Sequence, residues 1–191
     1  MSRGKKRDSS YVFKILLLGE AAVGKTSLTI QFVEGKFKSD YLLTVGMEPY
    51  SKYVTVNDET VTLSIWDIAG QQRFDVFRTM FFRGAKAALL VFDLTRPATF
   101  TKLQNWYEDL LENAGKDVIT ILVGNKVDLA PDLRGISKKE AQAYAKKIKA
   151  QTYIETSAKT GHHVDEAFNK LAEQLVKKAH KAKAKATATK K

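Results

Sequence analysis

The segment Gly19-Glu20-Ala21-Ala22-Val23-Gly24-Lys25-Thr26 constrains this 191-residue chain more than any other. It follows an apolar run, Phe13–Leu18, and opens a stretch of helical period, so it matches G-x-x-x-x-G-K-[ST] in the strand–loop–helix setting that the pattern needs. Gly19 and Gly24 let the backbone wrap closely, which turns successive N–H groups inward towards an anion. The positive end of the following helix adds to that attraction. The candidate phosphate-binding residues are therefore Ala22, Val23, Gly24, Lys25, Thr26 and Ser27. Lys25 is placed to reach the β- and γ-phosphates of a nucleotide, and Thr26 to offer its hydroxyl to Mg2+. A glycine turn with a solvated lysine can carry the same letters, but the flanking strand and helix weigh against it.

Along the rest of the chain, apolar runs alternate with helical periods, the pattern of an α/β sheet covered on both faces. The expected strands are Phe13–Leu18, Tyr50–Val56, Thr60–Asp67, Ala87–Asp93, Thr120–Gly124 and Thr152–Glu155. Asn57-Asp58-Glu59 reads as the turn of an antiparallel hairpin between the second and third of these. Pro49 opens the second strand, which places that strand at a sheet edge, where a missing N–H is tolerated. Val164, Phe168, Leu171 and Leu175 recur on one face of a final helix, and Leu103, Trp106, Leu110 and Leu111 give a similar stripe. Ser137–Ile148 predicts a third helix, capped by Ser137 with Glu140 three residues on.

Three further segments fall after predicted strands. Asp67 ends one strand, about 40 residues beyond the phosphate loop, and is followed by Ile68-Ala69-Gly70-Gln71. A carboxylate there suits the support of Mg2+. Asn125-Lys126-Val127-Asp128 selects the base, because the Asp128 carboxylate can accept from both the ring N–H and the exocyclic amine of guanine. Adenine offers no such pair of donors, and a carboxylate left unpaired in a closed site is penalised. Glu155-Thr156-Ser157-Ala158-Lys159 brings a backbone N–H to the guanine carbonyl oxygen, so Ser157, Ala158 and Lys159 join the nucleotide-binding set.

These residues resemble the Ras-like small GTPases, and within them the Rab branch. The resemblance spans roughly Phe13 to Leu175; Trp66–Phe74 looks like the family's WDTAGQERF and Phe81-Phe82-Arg83-Gly84-Ala85 like the Rab YYRGA. It implies a P-loop three-layer fold, with a six-stranded, mostly parallel sheet carrying one antiparallel edge strand and flanked by five helices. It implies that Phe37 packs against the guanine ring and that Thr44 ligates Mg2+ only when the γ-phosphate is present. Gly70 would bond the γ-phosphate through its N–H, and Gln71 would orient the attacking water. Thr26, Thr44 and Asp67 are thus the expected metal set, and Gln71, Lys25 and Thr44 the expected catalytic set. GTP and GDP are substrate and product. Effectors, an exchange factor and a GTPase-activating protein are expected to read Lys36–Met47 and Ala69–Met80, whose ordering changes on hydrolysis. A monomer is expected.

The chain departs from the family pattern at four places. Ala21 stands where Ras proteins have glycine beside the γ-phosphate, and Gln72 replaces the usual glutamate. Pro49 replaces an aromatic of the Rab partner-reading triad, while Trp66 and Phe81 keep their places. The chain has no cysteine, which excludes disulfides, thiol chemistry and cysteine-borne lipid. Its net charge of +11 sits at the ends: +3 in the first ten residues and +7 from Lys177 to Lys191, which leaves about +1 on the body. The expected organisation is a disordered basic segment 1–10, a nucleotide-binding domain 11–176 and a Lys/Ala-rich tail 177–191, with the last helix continuing a turn or two into the tail. Lys14 interrupts the apolar start, which argues against a secretion signal. A cytoplasmic protein is expected, with weak contact between the lysine tail and anionic membranes. The tail holds no aromatic, so no specific nucleic acid is expected. Two other classes share the phosphate loop. A P-loop ATPase or small-molecule kinase is disfavoured by Asp128; a nucleotide-binding scaffold without hydrolysis is disfavoured by Lys25, Thr26, Thr44, Asp67 and Gln71.

Overall fold

In the computed structural model, residues 9–37, 44–70 and 80–188 are described. Among them six strands form one sheet: β1 (Tyr11–Leu18), β2 (Met47–Val56), β3 (Glu59–Ile68), β4 (Ala87–Asp93), β5 (Ile119–Asn125) and β6 (Tyr153–Thr156), in the order β2-β3-β1-β4-β5-β6. Only β2 runs antiparallel to its neighbour. Every residue of β4 and β5 is buried, because both faces of these central strands are covered.

Among the described residues the helices are α1 (Lys25–Glu34), α2 (Pro97–Thr101), α3 (Leu103–Ala114), α4 (Ala130–Leu133), α5 (Lys138–Lys147) and α6 (Val164–Ala188). Two of them, α2 and α4, are single turns of five and four residues. The capping box of α5 forms as its letters predict: Glu140 N donates to Ser137 Oγ at 3.2 Å and Ser137 N to Glu140 Oε2 at 2.9 Å. One core lies between the sheet and α1 with α6, where Phe32 and Phe168 stack at 4.0 Å. The other lies under α3 and α5, around Trp106, Leu110 and Phe92.

Two expectations are corrected. First, β2 begins at Met47 rather than Tyr50, so Pro49 lies inside the strand, opposite Trp66. The strand is still an edge, which is why proline is accommodated there. The hairpin turn itself is only two residues, Asn57 and Asp58, both at positive φ, which matches the right-handed twist of the flanking strands. Second, α6 runs twelve residues past Val176, a little over three turns rather than one or two. The extension is held to the body: His180 Nε2 lies 2.9 Å from Glu59 Oε1, Lys183 Nζ sits 4.6 Å from the Tyr11 ring centre, and Lys178 donates to the Asp117 carbonyl.

Candidate functional site

The C-terminal ends of the five parallel strands meet along one edge of the sheet, and the start of the antiparallel β2 joins them, since Glu48 pairs with Asp67. Open α/β sheets take ligands at this edge. A cavity of about 330 Å3 lies there. One part is lined by Ala21, Ala22, Gly24, Lys25, Thr26, Ser27, Thr44 and Gly70; another by Phe37, Asn125, Lys126, Asp128, Leu129, Ala158 and Lys159.

Local conformation explains the phosphate loop. Gly24 caps α1 at φ +97°, and a Cβ there would meet Asn125 Nδ2 at 2.3 Å. The first turn of α1 carries no acid, so its positive end is left open to an anion. Lys25 is buried and folds back on the loop, with Nζ donating to the carbonyls of Gly19 at 2.8 Å and Glu20 at 2.9 Å. Burial pulls its ammonium down to about 8, against the opposing pull of Asp67 and Glu20.

Thr26, Thr44 and Asp67 converge. The two hydroxyls are 2.8 Å apart, and both donate to Asp67 Oδ2, Thr44 at 3.2 Å. Asp67 is fully buried, which pushes its carboxyl up, with Lys25 and the two hydroxyls acting the other way. Its other oxygen, Oδ1, is buried without a hydrogen-bond partner among the described residues. A buried carboxylate oxygen with no donor, beside two hydroxyls, is an all-oxygen set of the kind Mg2+ favours when phosphate oxygens complete the shell. The residues present therefore fit that ion.

At the other part of the cavity, Asn125 is a strut. Its Nδ2 donates to Val23 O at 2.8 Å, and its Oδ1 accepts from Thr156 Oγ1 at 3.1 Å and Ala158 N at 3.2 Å. Phe37 exposes 42% of its surface at the rim. Val23 and Ser157 are fully buried and do not line the cavity; Ser157 shapes its loop by accepting from Thr160 N at 3.1 Å. Gln71 lies outside the described residues, as do 38–43 and 71–79 of the two expected partner-reading segments.

Sequence reasoning missed the side chains that brace the loop from behind. Glu20 accepts from Trp106 Nε1 at 3.2 Å and Lys102 Nζ at 3.1 Å, and Arg96 donates to Ala21 O at 3.2 Å. These pairs are separated by 75 to 86 residues, so no local spacing reveals them.

The model of the Ras family matches residues 14–177. The chain belongs to the Ras family. It is also 40% identical over 174 residues to Ras-related protein Rab-2B of Dictyostelium discoideum, which covers 91% of this chain and 85% of that protein. This Ras-family chain is a small GTPase of the Rab-like branch, an enzyme of the GTP-hydrolysing class. Among its described residues no helix is long and apolar enough to cross a membrane.

Proposed function

We propose that this GTPase is a molecular switch that binds GTP and GDP with Mg2+ and slowly hydrolyses GTP, regulating membrane traffic or signalling. The observation that carries the reading is that one cavity joins the Lys25 loop and the Thr26–Thr44–Asp67 cluster to Lys126 and Asp128. Ala22 to Ser27 hold the phosphates, Asp128 reads the guanine edge, and Phe37, Lys126 and the Ser157-Ala158-Lys159 loop enclose the base. Thr26 and Thr44, backed by Asp67, hold Mg2+, which supplies charge neutralisation at the β- and γ-phosphates when bound. Gly70 donates its N–H to the γ-phosphate, and Gln71 orients the attacking water.

Thr44 meets Mg2+, and Gly70 the γ-phosphate, only in the triphosphate state, so Lys36–Met47 and Ala69–Met80 change with hydrolysis and are read by effectors, an exchange factor and an activating protein. Residues that flank these segments in sequence offer a further surface. Trp66 and Phe81 are 6.2 Å apart, Pro49 pairs with Trp66, and Lys14 Nζ sits 3.6 Å over the Trp66 ring. The lysines beyond Val176 add weak attraction to anionic membranes; flotation with liposomes that ignores anionic lipid content would remove that part. The main test is single-turnover GTP hydrolysis with and without Gln71→Leu. Slow turnover in the wild type and a loss of about tenfold or more in the variant are expected. Equal, near-zero rates in both would leave only a binding scaffold.

A further inference from the structure

The β4 strand ends in Asp93, whose side chain is 1% exposed. Both carboxylate oxygens are fully used. Oδ1 accepts from Thr95 N at 2.9 Å and Thr95 Oγ1 at 2.7 Å. Oδ2 accepts from Arg96 Nε at 2.9 Å and Lys126 Nζ at 2.6 Å. The two cations do not stop there. Arg96 Nη2 donates to Ala21 O at 3.2 Å, and Lys126 Nζ donates to Ala22 O at 3.0 Å. One buried oxygen therefore orients two cations that grip consecutive carbonyls of the phosphate loop.

Several features make this a positioning device rather than a generic ion pair. Ala22 is at φ +58° and Lys126 at +69°, conformations that side chains avoid unless the surroundings hold them. Arg96 comes from the turn before α2, and Lys126 from the turn after β5 that also carries Asp128. An anion at Asp93 offsets one of the two positive charges, so the pair approaches the loop's carbonyls with one net positive charge rather than two. An amide at position 93 has no charge to offset either cation, and its NH2 would face either the Thr95 donors or the two cations, so the arrangement of four donors on two acceptor oxygens cannot be kept.

We propose that Asp93, acting through Arg96 and Lys126, is a positioning residue that sets the shape of the phosphate loop and ties it to the base-reading loop. The inference rests on the proposed seat of the nucleotide in this cavity. Arg96 is the arm that serves the phosphate loop alone; Lys126 serves both loops. Loss of Arg96 frees Ala21 and leaves the base end in place. Loss of the Asp93 charge frees both arms.

The test is the dissociation rate of fluorescent GDP and of a fluorescent non-hydrolysable GTP analogue from wild type, Arg96→Ala, Arg96→Lys and Asp93→Asn, each with its melting temperature. One charge-assisted hydrogen bond corresponds to about tenfold in affinity. Arg96→Ala is expected to release both nucleotides about three- to tenfold faster with an unchanged melting temperature, because its side chain is 43% exposed. Arg96→Lys should recover part of that loss, since one ammonium can bridge Asp93 and the Ala21 carbonyl as that of Lys126 bridges Asp93 and the Ala22 carbonyl. Asp93→Asn should release both nucleotides faster than Arg96→Ala does. Wild-type release rates in Arg96→Ala, or a loss of which Arg96→Lys recovers nothing, overturn the proposal even if Asp93→Asn fails to fold. A wild type that holds no guanine nucleotide overturns the cavity's assignment instead, and the proposal with it.

Discussion

A Cβ at Gly70 would lie 2.3 Å from the Glu20 carbonyl carbon and 2.4 Å from Ala21 N. Both are backbone atoms of the phosphate loop, so neither can swing aside as a side chain would. Gly70→Ala must therefore push the end of β3 and the loop apart where the γ-phosphate is proposed to sit. Affinity for a GTP analogue should fall about tenfold or more, with GDP affinity changed far less; fluorescence titration of both nucleotides checks it, and equal losses would contradict the assignment. Asp93 offers a pH signature. Burial pushes its carboxyl up, but the hydrogen bonds from Lys126, Thr95 and Arg96 outweigh burial and hold it below the ordinary value of 3.8. A carboxylate lowered in the folded state stabilises fully above its unfolded value and loses that contribution as pH falls through the folded one. Urea unfolding should therefore show wild type more stable than Asp93→Asn by about 1–3 kcal/mol at pH 7. The gap should narrow below about pH 4. A gap that stays constant down to pH 2 to 3 would show that the carboxylate's charge contributes nothing.

Among the elements, α6 divides into two parts. Its buried residues, from Val164 to Val176, belong to the core, and the Phe32–Phe168 stack lies among them. Past Val176 the helix is mostly exposed and touches the body through Ala179, which packs against the core, and through His180, Lys183 and Lys178. Exposed ion pairs and cation–π contacts contribute about 0–1 kcal/mol each. Removing residues 178–191 should lower stability by no more than about 2 kcal/mol and leave nucleotide affinity unchanged. Thermal melts with and without nucleotide check this, and a truncated chain that fails to fold would show that the extension is part of the core. The sequence pattern was a fair guide to the apolar half of this helix because periodicity reports burial. It was a poor guide to the Lys/Ala half, where high helix propensity and side-chain contacts with β1, β3 and the turn before β5 decide the length.

At the scale of the whole molecule, the six strands and the antiparallel edge were legible because each apolar run is long enough to stand alone. The Asn57-Asp58 hairpin was legible from its turn residues. The start of β2 was not, since Met47-Glu48-Pro49 has no strand-like alternation and is paired only because β3 is there to pair with. The candidate site was legible to the same degree. Gly19–Thr26, Asn125–Asp128 and Ala158-Lys159 carry their chemistry in short contiguous runs, each after a strand, and the fold brings them to one cavity. Glu20, Asp93, Arg96 and Trp106 are spread over more than 80 residues, and only the folded sheet makes them neighbours. The proposed reading of a guanine edge by Asp128, with phosphates held by the loop before α1, depends on that convergence. Calorimetric titration of the nucleotide-free protein with GDP and with ADP, both with Mg2+, tests it most directly. GDP should bind at least about a thousandfold more tightly, because adenine leaves the Asp128 carboxylate without its donors. Comparable affinities for the two would contradict it.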